Sequence, residues 1–217
     1  MTRPRRPSSA ATAAQTRAYA TRASILASQL SAEIATVPAI PHGRPALVVM
    51  MGLPGTGKTH CARLLCEKIG AAHVASDELR SRLFIAPSYA EEENRAVFAA
   101  SEALVESLLG EGHRVVVDAT HLLARHRAGV AAAARRRGAP IVYVRVSAPE
   151  GDIRRRLASR RASRAPHDHS EADETIYEQM RVLTFEPPAE GHAELLNGPD
   201  LASEVARVAG LVEAACT

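Results

Sequence analysis

The chain has 217 residues, of which 46% are hydrophobic and 24% charged, which suits a single α/β domain with an extension and excludes wholesale disorder. No apolar run approaches the roughly 18 residues that a membrane-spanning helix needs, so such a helix is excluded as well. The formal net charge of +3 is unevenly distributed, because residues 165–217 carry eleven acidic and only two basic side chains. Only 3% of the residues are aromatic, which disfavours the base-stacking sheets of single-strand binders.

The first 45 residues predict a basic N-terminal arm with six arginines and one acidic residue. Apolar residues at helical spacing predict a short amphipathic helix over 17–35, and a proline-rich linker follows, so we place the domain boundary after residue 45. The arm lacks the apolar core of a secretory signal, and the three cysteines form no CxxC pair. We therefore expect a cytoplasmic protein with free thiols.

Strands and helices alternate from residue 46 to residue 217. Short apolar runs predict strands over 46–51, 72–76, 114–118, 140–147 and 193–196. Helices are predicted over 58–69, 89–109, 122–137, 149–161, 171–183 and 201–214. This alternation predicts a three-layer α/β/α domain in which helices cover both faces of a parallel sheet.

A glycine-rich loop follows the first predicted strand. The run Gly52-Leu53-Pro54-Gly55-Thr56-Gly57-Lys58-Thr59 matches the P-loop pattern G-x-x-x-x-G-K-[ST], and with His60 it forms the expected nucleotide-binding segment. Glycines allow backbone N–H groups to surround phosphate oxygens, and the helix that starts at Lys58 adds its positive end. Lys58 would contact the β- and γ-phosphates and Thr59 would ligate Mg²⁺, whereas the alternative is a glycine-rich turn without a ligand.

The base that accompanies those phosphates is predicted to be adenine. Proteins selective for guanine usually carry Asn-Lys-x-Asp after a late strand, and Asn197-Gly-Pro-Asp200 stands in about that place without the lysine. We expect this loop to pack against the base.

Two acidic residues end predicted strands on the side where the P-loop opens. Asp118 ends an apolar strand, the pattern of a metal-binding carboxylate, although it could instead be a buried hydrogen-bond anchor. Asp77 follows the second strand and could take the proton of an acceptor hydroxyl, although it could instead cap a helix. His121, just beyond Asp118, fits either a helix entry or an acceptor contact.

Arginines are concentrated over residues 154–164, within a predicted helical lid at about 150–183. Arg156 and Arg160 are four residues apart and share a helix face, from which they could neutralise a transferring phosphoryl group. The alternative is a solvated basic face.

On these residues the chain resembles the P-loop kinases around the 5′-kinase domain of polynucleotide kinases, a group that includes zeta-toxin-like kinases and small kinases with an AAA-type ATP-binding domain. The resemblance covers roughly residues 46–215 and implies a sheet of order 2-3-1-4-5, ATP and Mg²⁺ as cofactors, and a hydroxyl acceptor. Asp77 and Arg80 match an Asp and Arg of polynucleotide kinases, where the Asp is the general base and the Arg contacts a phosphate. His121 departs from the family, which usually has Asn there.

The resulting hypothesis is an ATP-dependent phosphotransferase, with Asp77, Arg80, Lys58, Arg156 and Arg160 as catalytic residues and Thr59 and Asp118 as metal ligands. Its acceptor is either a 5′-hydroxyl of a nucleic acid or a small metabolite. A regulatory ATPase without a kinase acceptor is the alternative from another functional class. The oligomeric state stays open.

Overall fold

The computed structural model describes residues 9–35, 44–162, 174–182 and 185–217. Its centre is a five-stranded, all-parallel sheet of order β2-β3-β1-β4-β5, which confirms the order implied by the family resemblance. The strands are β1 (Leu47–Met51), β2 (Ala71–Ala75), β3 (Arg114–Asp118), β4 (Ile141–Ser147) and β5 (Ala193–Leu196). The helices described are α1 (Ser9–Ala35), α2 (Lys58–Ile69), α3 (Ser76–Leu83), α4 (Glu91–Gly110), α5 (Ala124–Arg136), α6 (Glu150–Ala162), α7 (Glu174–Arg181) and α8 (Leu201–Ala215).

Helices cover both faces of the sheet, as the three-layer prediction requires. One apolar core lies between the sheet and helices α1, α3, α4 and α5, and a second lies between the sheet and helices α2 and α8. Strand β1 is buried along its whole length at the centre of the sheet, because its β-branched and apolar side chains alternate between these two cores.

Helix α3 was not predicted as an element. It follows β2 without a loop, and its eight residues are mostly polar, with only Leu79 and Leu83 as buried apolar residues. Such a short amphipathic segment shows too few helical repeats to stand out in the sequence.

Helix α1 is longer than the predicted 17–35 and packs mainly against α4, with a smaller contact to α3. Leu26 and Leu30 are buried in the same core as α4 and β3, and the Tyr19 ring meets Phe84 edge-on with centroids 5.3 Å apart. Ser31 Oγ donates to Glu111 Oε1 at 2.7 Å, beyond the end of α4. The predicted linker at 36–43 lies outside the described residues. None of the described helices combines the length and apolarity needed to cross a membrane.

Candidate active site

The P-loop, residues 52–59, connects β1 to α2 at the carboxyl edge of the sheet. Gly52, Gly55 and Gly57 have φ angles of 145°, 79° and 85°, which residues with a Cβ atom rarely adopt. A Cβ on Gly52 would also lie 2.5 Å from the carbonyl oxygen of Val146 in β4. The loop therefore requires glycine for both its backbone angles and its fit against the sheet.

The carbonyl of Leu53 organises the interior of the P-loop. It accepts hydrogen bonds from Lys58 Nζ at 2.9 Å and from the Thr56 hydroxyl at 2.9 Å. Within the described residues, the backbone N–H groups of Gly55, Gly57 and Thr59 donate to no carbonyl. Unpaired N–H groups at a helix N-terminus form an anion-binding concavity, so this segment has the chemistry to hold phosphate oxygens.

Asp118 lies at the end of β3, beside the start of α2, and is only 5% exposed. Burial by itself would raise the pKa of this carboxyl, but the nearby His73, the charge of Lys58 and a hydrogen bond from Thr59 outweigh it and lower the pKa. His73 Nε2 is 3.5 Å from Asp118 Oδ2. An ionised carboxylate close to a threonine hydroxyl is a donor set that suits Mg²⁺.

Asp77 lies in the first turn of α3, two residues beyond Ala75, which pairs with Asp118 in the β2–β3 register. The two carboxylates therefore follow neighbouring strands at one edge of the sheet. Asp77 does not occupy the N-cap position that was its alternative role, since Ala75 is the N-cap residue of α3 and Asp77 lies inside the first turn.

Arg80 is packed into the protein rather than presented to solvent. It is 7% exposed, and its Nη2 donates to Asn94 Oδ1 at 2.6 Å. Its guanidinium carbon lies 4.4 Å from the centre of the Tyr89 ring, and its Nη1 lies 3.8 Å from Glu93 Oε2. These contacts join α3 to the start of α4.

His121 is buried behind the P-loop rather than placed at the entry of α5. It is 2% exposed, has a φ of 45°, and its Nδ1 lies 3.1 Å from the carbonyl oxygen of Met50. Burial lowers its pKa to about 4, so the imidazole is neutral near pH 7. Arg127 donates to the His121 carbonyl at 2.6 Å and stabilises this unusual backbone conformation.

Helix α6, the first helix of the predicted lid, brings one of the two predicted catalytic arginines to the P-loop. Arg156 Nη1 donates to the carbonyl oxygens of Gly55 and Thr56, at 3.4 and 3.2 Å. Arg160 lies one turn further along α6, and its side chain is outside the described part of the structure. Leu157 packs so closely that a Cβ on Gly55 would lie 3.0 Å from its Cγ. Residues 163–173, including the predicted lid tip, lie outside the described ranges.

Asn197 was expected in a loop against the base, but its side chain contacts the P-loop. Its Nδ2 donates to the carbonyl oxygen of Thr56 at 2.8 Å. The sequence contains no local signal for this bond, because its partners are 141 residues apart. His73 was missed for a similar reason, since only the β2–β3 pairing brings it to Asp118.

Comparisons with known proteins agree with this geometry. The AAA domain family matches residues 47–188, nearly two thirds of the chain. No curated protein matches significantly. Among solved structures, Mycobacterium tuberculosis APS kinase CysC, in complex with AMPPNP and APS, is 22% identical with a TM-score of 0.60, and the match covers 79% of this chain and 99% of that one.

Chaetomium thermophilum Kti12, in complex with ADP-AlF3, is likewise 22% identical, with a TM-score of 0.65 and the same coverage. A chain of the Pnkp1/Rnl/Hen1 RNA repair complex is 21% identical with a TM-score of 0.52, and the match covers 64% of this chain and 44% of that one. The chain thus belongs to the AAA domain family and has the three-layer fold of the P-loop kinases.

Proposed function

We propose that this protein is an ATP-dependent phosphotransferase that moves the γ-phosphate of ATP to an acceptor hydroxyl. The observation that carries the proposal is that the P-loop, at the end of β1, lies next to two carboxylates at the ends of β3 and β2. Lys58 and the inward N–H groups suit a polyphosphate, while Asp118 and Asp77 follow neighbouring strands at the same edge. A glycine-rich turn without a ligand would need neither Lys58 nor Asp77 as a second acidic residue at this edge.

Thr59 and Asp118 are the residues that would hold Mg²⁺. When bound, the ion would neutralise charge on the β- and γ-phosphate oxygens. Lys58 lies close enough to lower the pKa of Asp118, so it already contributes positive charge at the phosphate site. Arg156 approaches from α6 and, with Arg160, would stabilise charge that develops on the transferred group.

Asp77 would orient the acceptor hydroxyl and receive its proton. It is half-buried at the sheet edge and lies outside the contacts that lower the pKa of Asp118. The two carboxylates thus have separate tasks, one toward the metal and one toward the acceptor.

The position of Arg80 bears on the acceptor. In a polynucleotide 5′-kinase this arginine would contact an acceptor phosphate, but here the side chain is only 7% exposed, with Nη2 bonded to Asn94 and the guanidinium stacked on Tyr89. This observation favours the second candidate, a small hydroxyl metabolite, over a nucleic-acid 5′-hydroxyl.

Transfer of label from γ-labelled ATP tests the proposal directly. The protein would be incubated with Mg²⁺ and a panel of 5′-hydroxyl oligonucleotides and small hydroxyl metabolites. Label on a metabolite is expected, and label on an oligonucleotide would instead assign the polynucleotide-type acceptor. ATP hydrolysis without a labelled acceptor would identify a regulatory ATPase and contradict the proposal.

A further inference from the structure

Asn197, the residue that directly follows β5, contacts the P-loop with its side chain. Asn197 is 6% exposed, and its backbone N–H donates to the Ser147 carbonyl at 2.8 Å, which extends the pairing of β5 with β4. Its backbone is therefore held by the sheet, and its side-chain amide has a well-defined position. That amide donates from Nδ2 to the Thr56 carbonyl at 2.8 Å.

This bond determines which way the next peptide N–H points. A trans peptide is planar, so the C=O of Thr56 and the N–H of Gly57 point in opposite directions. Because Asn197 holds the carbonyl on its own side, the Gly57 N–H is directed away from Asn197. That N–H donates to no carbonyl within the described residues, as a phosphate-binding group requires.

The contact leaves no room for a side chain at residue 57. A Cβ on Gly57 would lie 2.1 Å from Asn197 Nδ2, and its φ of 85° disfavours other residues as well. The amide is therefore packed against the backbone of Gly57.

A second donor approaches the same oxygen from another element. Arg156 Nη1 lies 3.2 Å from the Thr56 carbonyl, but it comes from α6, whereas Asn197 comes from the sheet that also supplies β1. The shorter bond from Asn197 therefore links the P-loop to the same sheet from which the loop starts.

We infer that Asn197 is a positioning residue that orients the Thr56–Gly57 peptide so that the Gly57 N–H faces the polyphosphate, and that it does not read the base. The inference rests on the proposed nucleotide site. Base recognition would make binding depend on the identity of the base, whereas positioning affects the triphosphate alone.

Calorimetric titration of Asn197 variants with ATP, GTP and inorganic tripolyphosphate separates these roles. Asn197→Ala is expected to weaken all three ligands by a common factor of about fivefold to tenfold, the value of one hydrogen bond. Asn197→Asp keeps the shape but places an oxygen against the Thr56 carbonyl, so it should weaken them further. Ser203→Ala alters an exposed side chain on α8 and should leave all affinities unchanged.

Each other outcome has a definite meaning. A loss confined to one base, with tripolyphosphate unaffected, would overturn the inference and restore base recognition, and unchanged affinities would overturn it too. If the unaltered protein bound none of the three ligands, the proposed nucleotide site would itself be contradicted, and the inference with it.

A measurement on the unaltered protein keeps the test independent of how the variants fold. Addition of tripolyphosphate should move the Gly57 amide proton resonance downfield, because that N–H would then donate to phosphate. An unmoved resonance in the presence of bound tripolyphosphate would overturn the inference.

Discussion

Individual residues around the P-loop differ in how far the sequence could predict them. The motif predicts the loop itself, because each of its glycines is required by a local backbone angle. Lys58 is placed where its Nζ reaches the Leu53 carbonyl. Arg80 and Asn197 could be identified only as candidates, since their partners come from other parts of the chain. Contacts of this kind depend on tertiary packing, which a local pattern does not contain.

The first residue-scale prediction concerns Asp77. Asp77→Asn should reduce phosphoryl transfer by about 10²- to 10⁴-fold, because the amide cannot accept the acceptor's proton, while ATP affinity stays nearly unchanged. Lys58→Ala should instead weaken ATP binding itself. Labelled-phosphate transfer and calorimetric ATP titration measure the two effects, and Glu78→Gln, an adjacent acid paired with Arg82, is the matched control. Transfer that survives in Asp77→Asn would contradict the proposed role.

The second residue-scale prediction concerns His121 and the stability of the fold at acidic pH. Its pKa is lowered by burial from 6.5 to about 4, so between these values the unfolded chain binds a proton that the folded chain does not. Above pH 6.5 this difference in proton binding does not affect the free energy of unfolding. As the pH falls to 4, it should lower the free energy of unfolding by roughly 3 kcal/mol. Urea denaturation at several pH values should therefore show a shallower loss for His121→Asn. Parallel pH profiles of the two proteins would argue against it.

Among the elements, the strands were the most predictable and α1 and α3 the least. The strands lie within one residue of their predicted bounds, and runs of β-branched residues between turn residues mark β1, β3 and β4 most clearly. The first turns of α1 are rich in alanine and lack apolar periodicity, so its start at Ser9 was not predicted.

The contact between α6 and α7 was also not predicted; it combines a small apolar cluster of Ile153, Leu157 and Tyr177 with ion pairs made mainly by one arginine. Arg154 donates from Nη1 to Glu174 at 2.7 Å and from Nη2 to Glu178 at 2.9 Å, and it also contacts Glu150 on its own helix. The other described arginines of this stretch behave differently, since Arg155 pairs within α6 and Arg156 contacts the P-loop. The basic stretch is therefore divided among separate tasks.

An element-scale prediction follows for Arg154→Ala. Loss of two carboxylate contacts should let α7 separate from α6 more often, so its amides should exchange hydrogen several times faster. Hydrogen exchange measured by mass spectrometry over residues 174–181 tests this, with Arg155→Ala as the control because that side chain makes no contact with α7 among the residues described. Equal exchange in the two variants would show that Tyr177 and its apolar neighbours hold α7 alone.

At the scale of the whole molecule, part of the uneven charge is paired within the fold. Acidic side chains from the C-terminal part pair with four arginines of the central part, in the pairs Arg114–Glu213, Arg135–Glu190, Arg145–Glu194, Arg154–Glu174 and Arg154–Glu178. The acidic C-terminal part thus lies against the basic central part among the residues that the structure describes.

The whole-molecule prediction concerns α1, which the sequence placed in a separate arm. Leu30 is 6% exposed in the core shared with α4, whereas Ile25 on the same helix is 54% exposed. Leu30→Ala should reduce the free energy of unfolding by about 2–5 kcal/mol, while Ile25→Ala should change it by less than about 0.5 kcal/mol. Urea denaturation of both variants measures the difference. Equal stabilities would mean that α1 contributes little to the fold in solution.

The bond between Asn197 and Thr56 has a consequence for protein synthesis. The P-loop emerges from the ribosome early, but the side chain that orients its Gly57 N–H is made 141 residues later. Strand β5, which holds that side chain, can join the sheet only after β4 is in place. A nascent chain therefore carries the complete nucleotide motif before this side chain exists, so its affinity for a triphosphate, and the stability that ATP contributes, should rise severalfold once β5 has joined the sheet.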